Sequence, residues 1–398
     1  MEFSLPSEVR FIIEEYEAHG FSAHVVGGPV RDYLLNVPVH DYDLTTDATP
    51  EQTKEIFSAY RIIETGIKHG TVTLLLSDTP YEITTYRIDG RYVDNRHPES
   101  VTFTRSLSDD LSRRDFTVNA MAYAPRDGIV DLFCGKEDLA NKILRTVGSP
   151  EQRFHEDALR ILRALRFSSV LGFFIEQNTA RAIHSCAHLM QNLAVERVCE
   201  ELIKLLGGAC AARVIREYSD VLSVVLPELA TALDGLDALV DLPEHLSRSE
   251  AFAARLAYLS SLASLDAAAL RSLCERLHTS REVRDLSCAI LSHCNASLAT
   301  DYDLLCLLRD SSVQATRLVL YTACKDEEVL ARTLLRIDEL IDSGCPYRIG
   351  MLAIGGAELL REGVSGREIG VMLDRLLDAV MRGVVDNEEN SLLSYLKE

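Results

Sequence analysis

The spacing of apolar residues changes along the chain. Up to about residue 130, short runs rich in Val, Ile, Thr and Tyr stand between Gly, Pro or Asp residues, as is typical of strands. From about residue 150 onward, apolar residues recur at the spacing of amphipathic helices. The pattern therefore predicts an α+β protein, in which a mixed head precedes an all-helical remainder.

Five runs in the head are predicted to form one sheet of about five strands, with helices against it. The segment 89–100, DGRYVDNRHPES, is polar and poor in apolar residues, so we expect a mobile loop between two strands. The sequence Gly148-Ser149-Pro150 then signals the start of a helix. The predicted strands are 24–28, 69–77, 81–87, 99–104 and 119–125.

Composition excludes several classes of protein. Of the 398 residues, 47% are hydrophobic and 26% are charged, as in globular proteins, and no apolar run is long enough to span a bilayer. The amino terminus lacks the pattern of a signal peptide, and the ten cysteines form no CxxC pair. We therefore expect a multidomain cytoplasmic protein with reduced thiols and no membrane partner.

The net charge of −20 restricts how the protein could bind nucleic acid. Proteins that bind nucleic acid over a broad surface are usually basic. Any such contact in this protein must therefore be local.

A strand, a Gly-Gly turn and a helix are predicted in the segment VVGGPVRDYLL. Such a turn lets backbone N–H groups approach a phosphate, and Arg31 in the first helical turn could bind a phosphate oxygen. A tight turn also needs glycine for steric reasons alone. Gly27 and Gly28 by themselves therefore leave both interpretations open.

Thirteen residues after Gly28, the segment HDYDLTTDA carries a pair of carboxylates. Asp41 and Asp43 are two residues apart, so on an extended strand they point to the same face. The two charges repel each other unless a cation lies between them, and magnesium combines one or two carboxylates with substrate phosphates. The pair therefore predicts a catalytic magnesium site for nucleotidyl transfer. Glu82 on a neighbouring strand could add a ligand, and the alternative is a surface glutamate with no such role.

A second group of polar residues lies in the segment DDLSRRDFTVNAMAY. Arg114 could contact a triphosphate, and Asp115 and Asn119 could hydrogen-bond a ribose. The alternative is an arginine–aspartate pair that only caps the strand.

The segment RFHEDALRILRALRF predicts a helix with a polar ridge. Its polar positions are three residues apart and lie along one side of about three turns: Asp157, Arg160, Arg163 and Arg166. A plain amphipathic helix with internal ion pairs is the alternative. Cytosine and adenine each present an amine donor beside a ring-nitrogen acceptor, which matches an Asp acceptor beside an Arg donor. Uracil and guanine present the inverse pattern, so Asp157 and Arg160 are predicted to select C and A.

Together these motifs resemble the class II bacterial CCA-adding tRNA nucleotidyltransferases, which share their head with bacterial poly(A) polymerases. The similarity spans about residues 23–206, whereas the tail is more loosely similar and residues 215–325 carry no matching motif. One departure is Cys134-Gly135, where the family often has Gly-Gly. The motifs in chain order are GGPVRD with DYD, DGRYVDNRHPESVTF, RRDFTVNAMAY, VDLFCGKEDLANKILRTVG, HEDALRILRALRF and VERVCEELIKLL.

The resemblance implies a head (1–138), a helical neck (139–210), a helical body (211–324) and a helical tail (325–398), with body and tail holding tRNA. It implies that Asp41 and Asp43 bind Mg²⁺ and that CTP and ATP are the substrates for extending the tRNA 3′ end. It also implies a set of nucleotide-binding residues: Gly28, Arg31, Arg114, Asp157, Arg160, Arg163 and Arg166. The oligomeric state stays open, a homodimer included.

Several alternatives remain at this level. An A-adding or CC-adding specialist would share most of these motifs, although the segment 89–100 argues against addition of CC alone. A poly(A) polymerase usually carries basic extensions, which this acidic chain lacks. A nonenzymatic RNA-binding protein would not need the carboxylate pair. A small-molecule nucleotidyltransferase would not need the Asp157/Arg160 helix.

Overall fold

A computed structural model of the chain describes residues 4–39, 41–90, 100–229, 234–240, 242–324 and 326–397. The chain divides into two units, residues 1–230 and residues 231–398. In the described part, no helix is both long enough and apolar enough to cross a membrane. The finer division of the chain into four domains stays a prediction.

The first unit contains eleven α-helices and eleven strands among its described residues. The helices are α1 (Ser7–Ala18), α2 (Gly28–Leu34), α3 (Pro50–Ile56), α4 (Leu107–Ser112), α5 (Gly135–Ala140), α6 (Pro150–Glu156), α7 (Leu159–Leu171), α8 (Gln177–Cys186), α9 (Val195–Leu206), α10 (Ala211–Glu217) and α11 (Ser219–Leu222). The strands are β1 (Ala23–Val26), β2 (Leu44–Thr46), β3 (Arg61–Ile63), β4 (Thr71–Leu76), β5 (Thr79–Thr85), β6 (Arg87–Asp89), β7 (Val101–Phe103), β8 (Met121–Ala124), β9 (Gly128–Asp131), β10 (Ile143–Leu144) and β11 (Phe174–Ile175).

A mixed sheet forms the centre of the head. Its seven strands run in the order β3-β4-β5-β2-β1-β8-β9. The pairing of β2 with β5 is parallel, with Leu44 opposite Ile83, and the other pairings are antiparallel. Every residue of β1, β2 and β8 is buried. These three neighbouring strands therefore form the buried part of the sheet.

The α+β class is confirmed, but the predicted number of strands is too low. The runs 24–28, 69–77, 81–87 and 119–125 correspond to β1, β4, β5 and β8. The run 99–104 contains β7, which pairs with β6 in a separate two-stranded ribbon instead of joining the main sheet. Three strands of only three or four residues, β2, β3 and β9, were missed because such short segments show no clear alternation. The predicted loop over 89–100 falls largely on residues 91–99, which lie outside the described residues.

Local sequence explains where the helices of the first unit begin and end. Thr49 and Gln52 form a reciprocal capping box at the start of α3. The predicted helix start after Gly148 is confirmed, since Ser149 caps α6 and Pro150 occupies its first turn. Gly172, with a φ of 71°, ends α7 in the left-handed conformation that glycine favours.

The second unit is all-helical in its described residues, as predicted. Its last helices enclose a small core of their own, in which Leu359, Leu376 and Leu392 are fully buried. The helices are α12 (Arg248–Leu262), α13 (Ala267–Arg276), α14 (Arg281–His293), α15 (Asp301–Asp310), α16 (Val313–Ala323), α17 (Glu327–Asp342), α18 (Gly356–Arg361), α19 (Glu368–Met381) and α20 (Glu389–Tyr395).

Candidate active site

An open cleft of about 760 Å³ lies in the first unit, between the head and the helices that follow it. Its lining combines glycine, acidic and basic residues from α2, α7, α9 and the connections that follow β1, α2, α4 and α6. It contains all nine residues predicted from sequence: Gly28, Arg31, Asp41, Asp43, Arg114, Asp157, Arg160, Arg163 and Arg166. Chain positions as far apart as residue 28 and residue 166 therefore converge on one site.

The Gly-Gly turn forms one wall of this cleft. Gly27 follows β1 and has φ 81° and ψ −127°, a conformation that costs a side-chain-bearing residue free energy. A Cβ atom at this position would lie 3.4 Å from Nη1 of Arg114. Pro29 then occupies the first turn of α2, where its missing N–H is not needed. The turn therefore brings backbone close to an arginine of the cleft.

The carboxylate pair lies just before β2. The sequence pattern predicted that Asp41 and Asp43 lie on a strand. The strand itself begins at Leu44, so both residues precede it. The carbonyl oxygen of Asp43 nevertheless accepts a hydrogen bond of 3.0 Å from the Val26 N–H, which anchors the pair to the end of β1. The backbone at Asp43 is therefore fixed relative to the Gly27 turn that follows Val26.

Negative charge accumulates around Asp43. Partial desolvation in the cleft raises the pKa of Asp43, and the charges of Glu82 and Asp41 raise it further, whereas Arg114 lowers it. The parallel register places Glu82 one residue before Ile83, the partner of Leu44. In the described residues, no group of three or more Asp, Glu, His or Cys side chains is arranged to hold a metal ion. Asp41 and Asp43 thus both line the cleft, with the exposed Glu82 as a neighbour outside its lining.

Two arginines flank the turn and the carboxylates. Arg31 donates from Nη1 to Oδ1 of Asn119 at 2.7 Å and from Nε to Asp32 at 2.8 Å. Arg114 donates from Nη2 to Asp110 at 3.1 Å. Its Nε is buried and has no hydrogen-bond partner among the described residues. Arg114 therefore has donor capacity left for an oxygen acceptor in the cleft.

Asp115 joins the head to α7. Its Oδ2 accepts two hydrogen bonds from Arg163, at 2.8 and 2.6 Å, and its Oδ1 accepts from the Phe116 N–H and from Asn119. Burial by itself raises the pKa of Asp115, but the charge and hydrogen bonds of Arg163 outweigh burial and hold it at about 2. Asp115 is therefore ionised at neutral pH, and its oxygens accept four hydrogen bonds from the protein. The predicted contact of Asp115 with a ribose stays a prediction.

The predicted helix carrying Asp157 is interrupted at that residue. Asp157 is extended, with φ −141° and ψ 105°, and it separates α6 from α7. Its carboxylate accepts a hydrogen bond of 2.9 Å from Nη2 of Arg197 and one of 3.0 Å from the Leu159 N–H. Spacing by three residues therefore describes Arg160, Arg163 and Arg166 on α7, but not Asp157. No residue pattern marks the break, because ALRILRALR is continuous with the helical pattern before it.

Arg160 is held at several points close to Asp157. Its Nη1 donates to Glu156 at 2.6 Å and to the Arg153 carbonyl oxygen at 3.1 Å. Its Nη2 donates to the Arg113 carbonyl oxygen at 3.0 Å. A guanidinium group has five N–H donors, so two remain in a side chain whose orientation is fixed.

Arg166 lies on the same side of α7 as Arg160 and Arg163 and packs on an aromatic ring. Its guanidinium carbon lies 4.0 Å from the centre of the Phe167 ring, and its Nε lies 3.0 Å from Oε2 of Glu201. Arg31 and Arg163 also approach this ring, at 5.3 and 5.5 Å. Three arginines thus surround one phenylalanine, an arrangement that cation–π attraction stabilises.

Sequence reasoning missed several residues of the cleft. Arg197 and Lys204 lie on α9, where the motif VERVCEELIKLL carried a usable signal. Arg197, Glu201 and Lys204 are four and three residues apart, which places them on one helical face. Arg113 and Phe167 also line the cleft, and neither was among the predicted site residues.

Residues 23–145 match the family model of the poly A polymerase head domain. Residues 172–233 match the model described as a probable RNA- and SrmB-binding site of polymerase A. Together with the mixed sheet and the acidic and basic cleft, these matches define a nucleotidyltransferase with a head of the poly(A) polymerase type.

Full-length relatives narrow this class. The CCA-adding enzyme of Enterococcus faecalis is 37% identical to this chain, over 99% of the chain and 97% of that protein. That of Lactobacillus delbrueckii subsp. bulgaricus is also 37% identical, over 97% of the chain and 96% of that protein. The chain belongs to the family of CCA-adding enzymes.

A solved structure agrees with this assignment. The crystal structure of the Bacillus stearothermophilus CCA-adding enzyme in complex with CTP superposes with a TM-score of 0.82 at 33% identity. The superposition covers 98% of this chain and 96% of that chain.

Proposed function

We propose that this chain adds C, C and A in turn to the 3′ end of tRNA, from CTP and ATP and without a nucleic-acid template. The observation that carries the proposal is the convergence of two kinds of chemistry on one cleft. The carboxylates Asp41 and Asp43 line the same cleft as the base-reading pair Asp157 and Arg160. The names of the full-length relatives and the CTP complex of the B. stearothermophilus enzyme support this function.

The donor set just before β2 fits magnesium. Asp41 and Asp43 are hard oxygen ligands, and the raised pKa of Asp43 reflects desolvation and negative charge that a cation would offset. The neighbouring Glu82 would supply a further carboxylate by reorienting its exposed side chain. When bound there, magnesium would lower the barrier to nucleotidyl transfer by neutralising charge on the attacking and leaving oxygens.

The protein's own residues would position the nucleotide for in-line transfer. The 3′-hydroxyl oxygen of tRNA forms a bond to the α-phosphorus as the bond to pyrophosphate breaks. The backbone at Gly28 and the guanidinium groups of Arg31 and Arg114 would hold the phosphates. The unpartnered Nε of Arg114 supports this role, because it is a buried donor without an acceptor among the described residues.

Asp157 and Arg160 would read the base edge. Oδ2 of Asp157 accepts one hydrogen bond, from Arg197, and keeps capacity to accept another from the exocyclic amine of C or A. Arg160 keeps two N–H donors for the adjacent ring nitrogen. Because both groups are held by neighbours, a base with the inverse pattern would leave polar groups unpaired. Arg163 and Arg166 would complete the nucleotide site on the same helix.

Single-nucleotide incorporation tests the proposal directly. We expect CTP alone to extend a tRNA that ends before CCA by two residues, and ATP alone to extend a tRNA that ends in CC by one. An A-adding specialist would fail the first reaction, a CC-adding specialist would fail the second, and a poly(A) polymerase would continue beyond one A.

Two variants test the carboxylate site. Asp41→Ala should abolish incorporation and its dependence on magnesium, whereas Glu51→Ala should not, because Glu51 is exposed on α3 and lies outside the cleft. Unchanged incorporation by the Asp41→Ala variant would contradict the catalytic role.

A further inference from the structure

A buried carboxylate binds two arginines that line the cleft, Arg113 and Arg114. The side chain of Asp110, on α4, is fully buried, whereas those of Arg113 and Arg114 keep 17% and 20% of their surface exposed. Asp110 does not line the cleft, so it is not placed to touch a nucleotide. Resting on the function proposed above, we propose that Asp110 is a positioning residue, which holds Arg114 against the Gly27 turn for triphosphate binding.

The hydrogen bonds of Asp110 divide between its two oxygens. Oδ1 accepts from Nε and Nη2 of Arg113, at 3.0 and 2.6 Å. Oδ2 accepts from Nη2 of Arg114 at 3.1 Å. One carboxylate therefore fixes two adjacent guanidinium groups with charge-assisted hydrogen bonds.

Asp110 also contacts the strand that follows the carboxylate pair. Oγ1 of Thr45 lies 3.3 Å from Oδ2 of Asp110 and 3.0 Å from the Thr84 carbonyl oxygen, and its one proton is shared between these acceptors. Thr45 lies on β2, two residues beyond Asp43 in the chain. Asp110 therefore joins Arg114 to the segment that carries Asp43.

Charge balance makes this carboxylate important for the geometry of the cleft. Burial lowers the pKa of Arg114, the charge of Asp110 raises it, and repulsion from Arg113 lowers it. Burial by itself raises the pKa of Asp110, but Arg114 and Arg113 outweigh burial and lower it, so that Asp110 is ionised at neutral pH. Without this charge, the two arginines would lose their common anchor and move apart. Nη1 of Arg114 would then leave its place beside Gly27.

Asp110→Asn in the full chain tests the inference, because it removes the charge and keeps the shape. We expect KM for CTP and for ATP to rise about tenfold, the effect of losing a charge-assisted hydrogen bond, with kcat changed less than about threefold. The preference for C over U should stay unchanged, since Asp157 and Arg160 are untouched. Asp109→Asn is the matched control, because the Asp109 carboxylate accepts from Thr104 instead of an arginine and its loss should leave both KM values unchanged.

A double-mutant cycle separates positioning from general stability. If Asp110 acts through Arg114, Asp110→Asn should raise KM much less in an Arg114→Ala background than in the parent chain. The same increase in both backgrounds, or an unchanged KM in the single variant, would overturn the inference.

A charge-balanced variant covers the case in which Asp110→Asn does not fold. Asp110→Asn combined with Arg113→Gln keeps the net charge of the cluster and still removes the anchor of Arg114. The KM of this double variant should exceed that of Arg113→Gln about tenfold, the rise expected for Asp110→Asn in the parent chain. Equal KM values for the double variant and Arg113→Gln would refute the positioning role. If the parent chain itself incorporated neither C nor A, the proposed function would fail, whereas normal incorporation with an unaffected Asp110→Asn variant would refute this inference alone.

Discussion

Arg163 on α7 donates two hydrogen bonds to a single oxygen of Asp115, at 2.8 and 2.6 Å. Asp115 belongs to the segment between α4 and β8, whereas α7 belongs to the helical part that follows the head. The ion pair therefore fixes one wall of the cleft relative to the other. Both residues line the cleft, so their contact joins two parts of its lining.

Asp115→Asn should destabilise the protein in a pH-dependent manner. The pKa of Asp115 in the folded protein is about 2, below the ordinary carboxyl value of 3.8. Its stabilising contribution is therefore fully present above about pH 4 and is lost as the pH falls towards 2. We expect the variant to lose about 2 kcal/mol of unfolding free energy at pH 7, and urea unfolding measures this loss.

The same experiment at lower pH tests the cause. The difference between the parent chain and Asp115→Asn should stay constant from pH 7 to pH 5 and shrink below about pH 4. A difference that did not change with pH would show that shape, and not charge, stabilises this contact.

Gly27→Ala should impair nucleotide binding as well as stability. The backbone conformation at Gly27 would cost a side-chain-bearing residue about 1–3 kcal/mol, and the new Cβ would stand in contact with Nη1 of Arg114, at the turn expected to face the phosphates. We therefore expect KM for both CTP and ATP to rise, in addition to a lower unfolding free energy.

Gly20 offers a matched control for this substitution. Its φ of 80° is nearly the same as that of Gly27, but no atom lies within 4 Å of a Cβ built there. Gly20→Ala should lower stability and leave KM unchanged. A rise in KM of equal size in both variants would show that destabilisation alone accounts for the effect.

The main sheet and the gathering of nine residues in one cleft followed from particular sequence patterns. The runs at β1, β4, β5 and β8 alternate or are strongly apolar, and they were located from the chain alone. The short strand β2 could not be, because its three residues have no periodicity and depend on pairing with β1 and β5. Pairing with neighbouring strands, and not the local preference of its three residues, thus determines that β2 forms.

The interruption at Asp157 was unpredictable for a different reason. No proline or glycine marks it, and helical spacing continues on both sides. The extended conformation depends on partners distant in sequence, since the Asp157 carboxylate binds Arg197, forty residues away. Only the fold brings these two groups together.

Binding of tRNA should weaken as salt concentration rises, despite the net charge of −20. Each phosphate neutralised by a local Lys or Arg releases counterions, which gives a slope of about −0.7 to −0.9 per contact in a plot of log K against log salt. Titration of labelled tRNA at several salt concentrations measures this slope. A flat profile would show that tRNA is not held by charge.

Asp157→Ala should relax base selectivity more than it slows incorporation. Its carboxylate is the acceptor expected to bind the exocyclic amine of C and A. Without the carboxylate, the carbonyl oxygen of U or G no longer faces a second acceptor, so UTP and GTP are rejected less strongly. We expect the ratio of kcat/KM for CTP over UTP to fall on the order of 10- to 100-fold. Single-turnover incorporation with each of the four nucleotides measures it, and an equal loss with all four would contradict the base-reading role.

Arg197→Gln should reproduce part of this loss of selectivity. Arg197 donates to Oδ2 of Asp157 at 2.9 Å, and the extended backbone at Asp157 leaves its side chain without the support of a continuous helix. Loss of this hydrogen bond frees the carboxylate to rotate, so we expect the ratio of kcat/KM for CTP over UTP to fall, by less than in Asp157→Ala. Arg181→Gln is the control, because Arg181 is exposed on α8 and lies outside the cleft. If Arg197→Gln kept the parent's selectivity and only raised KM for every nucleotide, Arg197 would be a phosphate contact and not the support of Asp157.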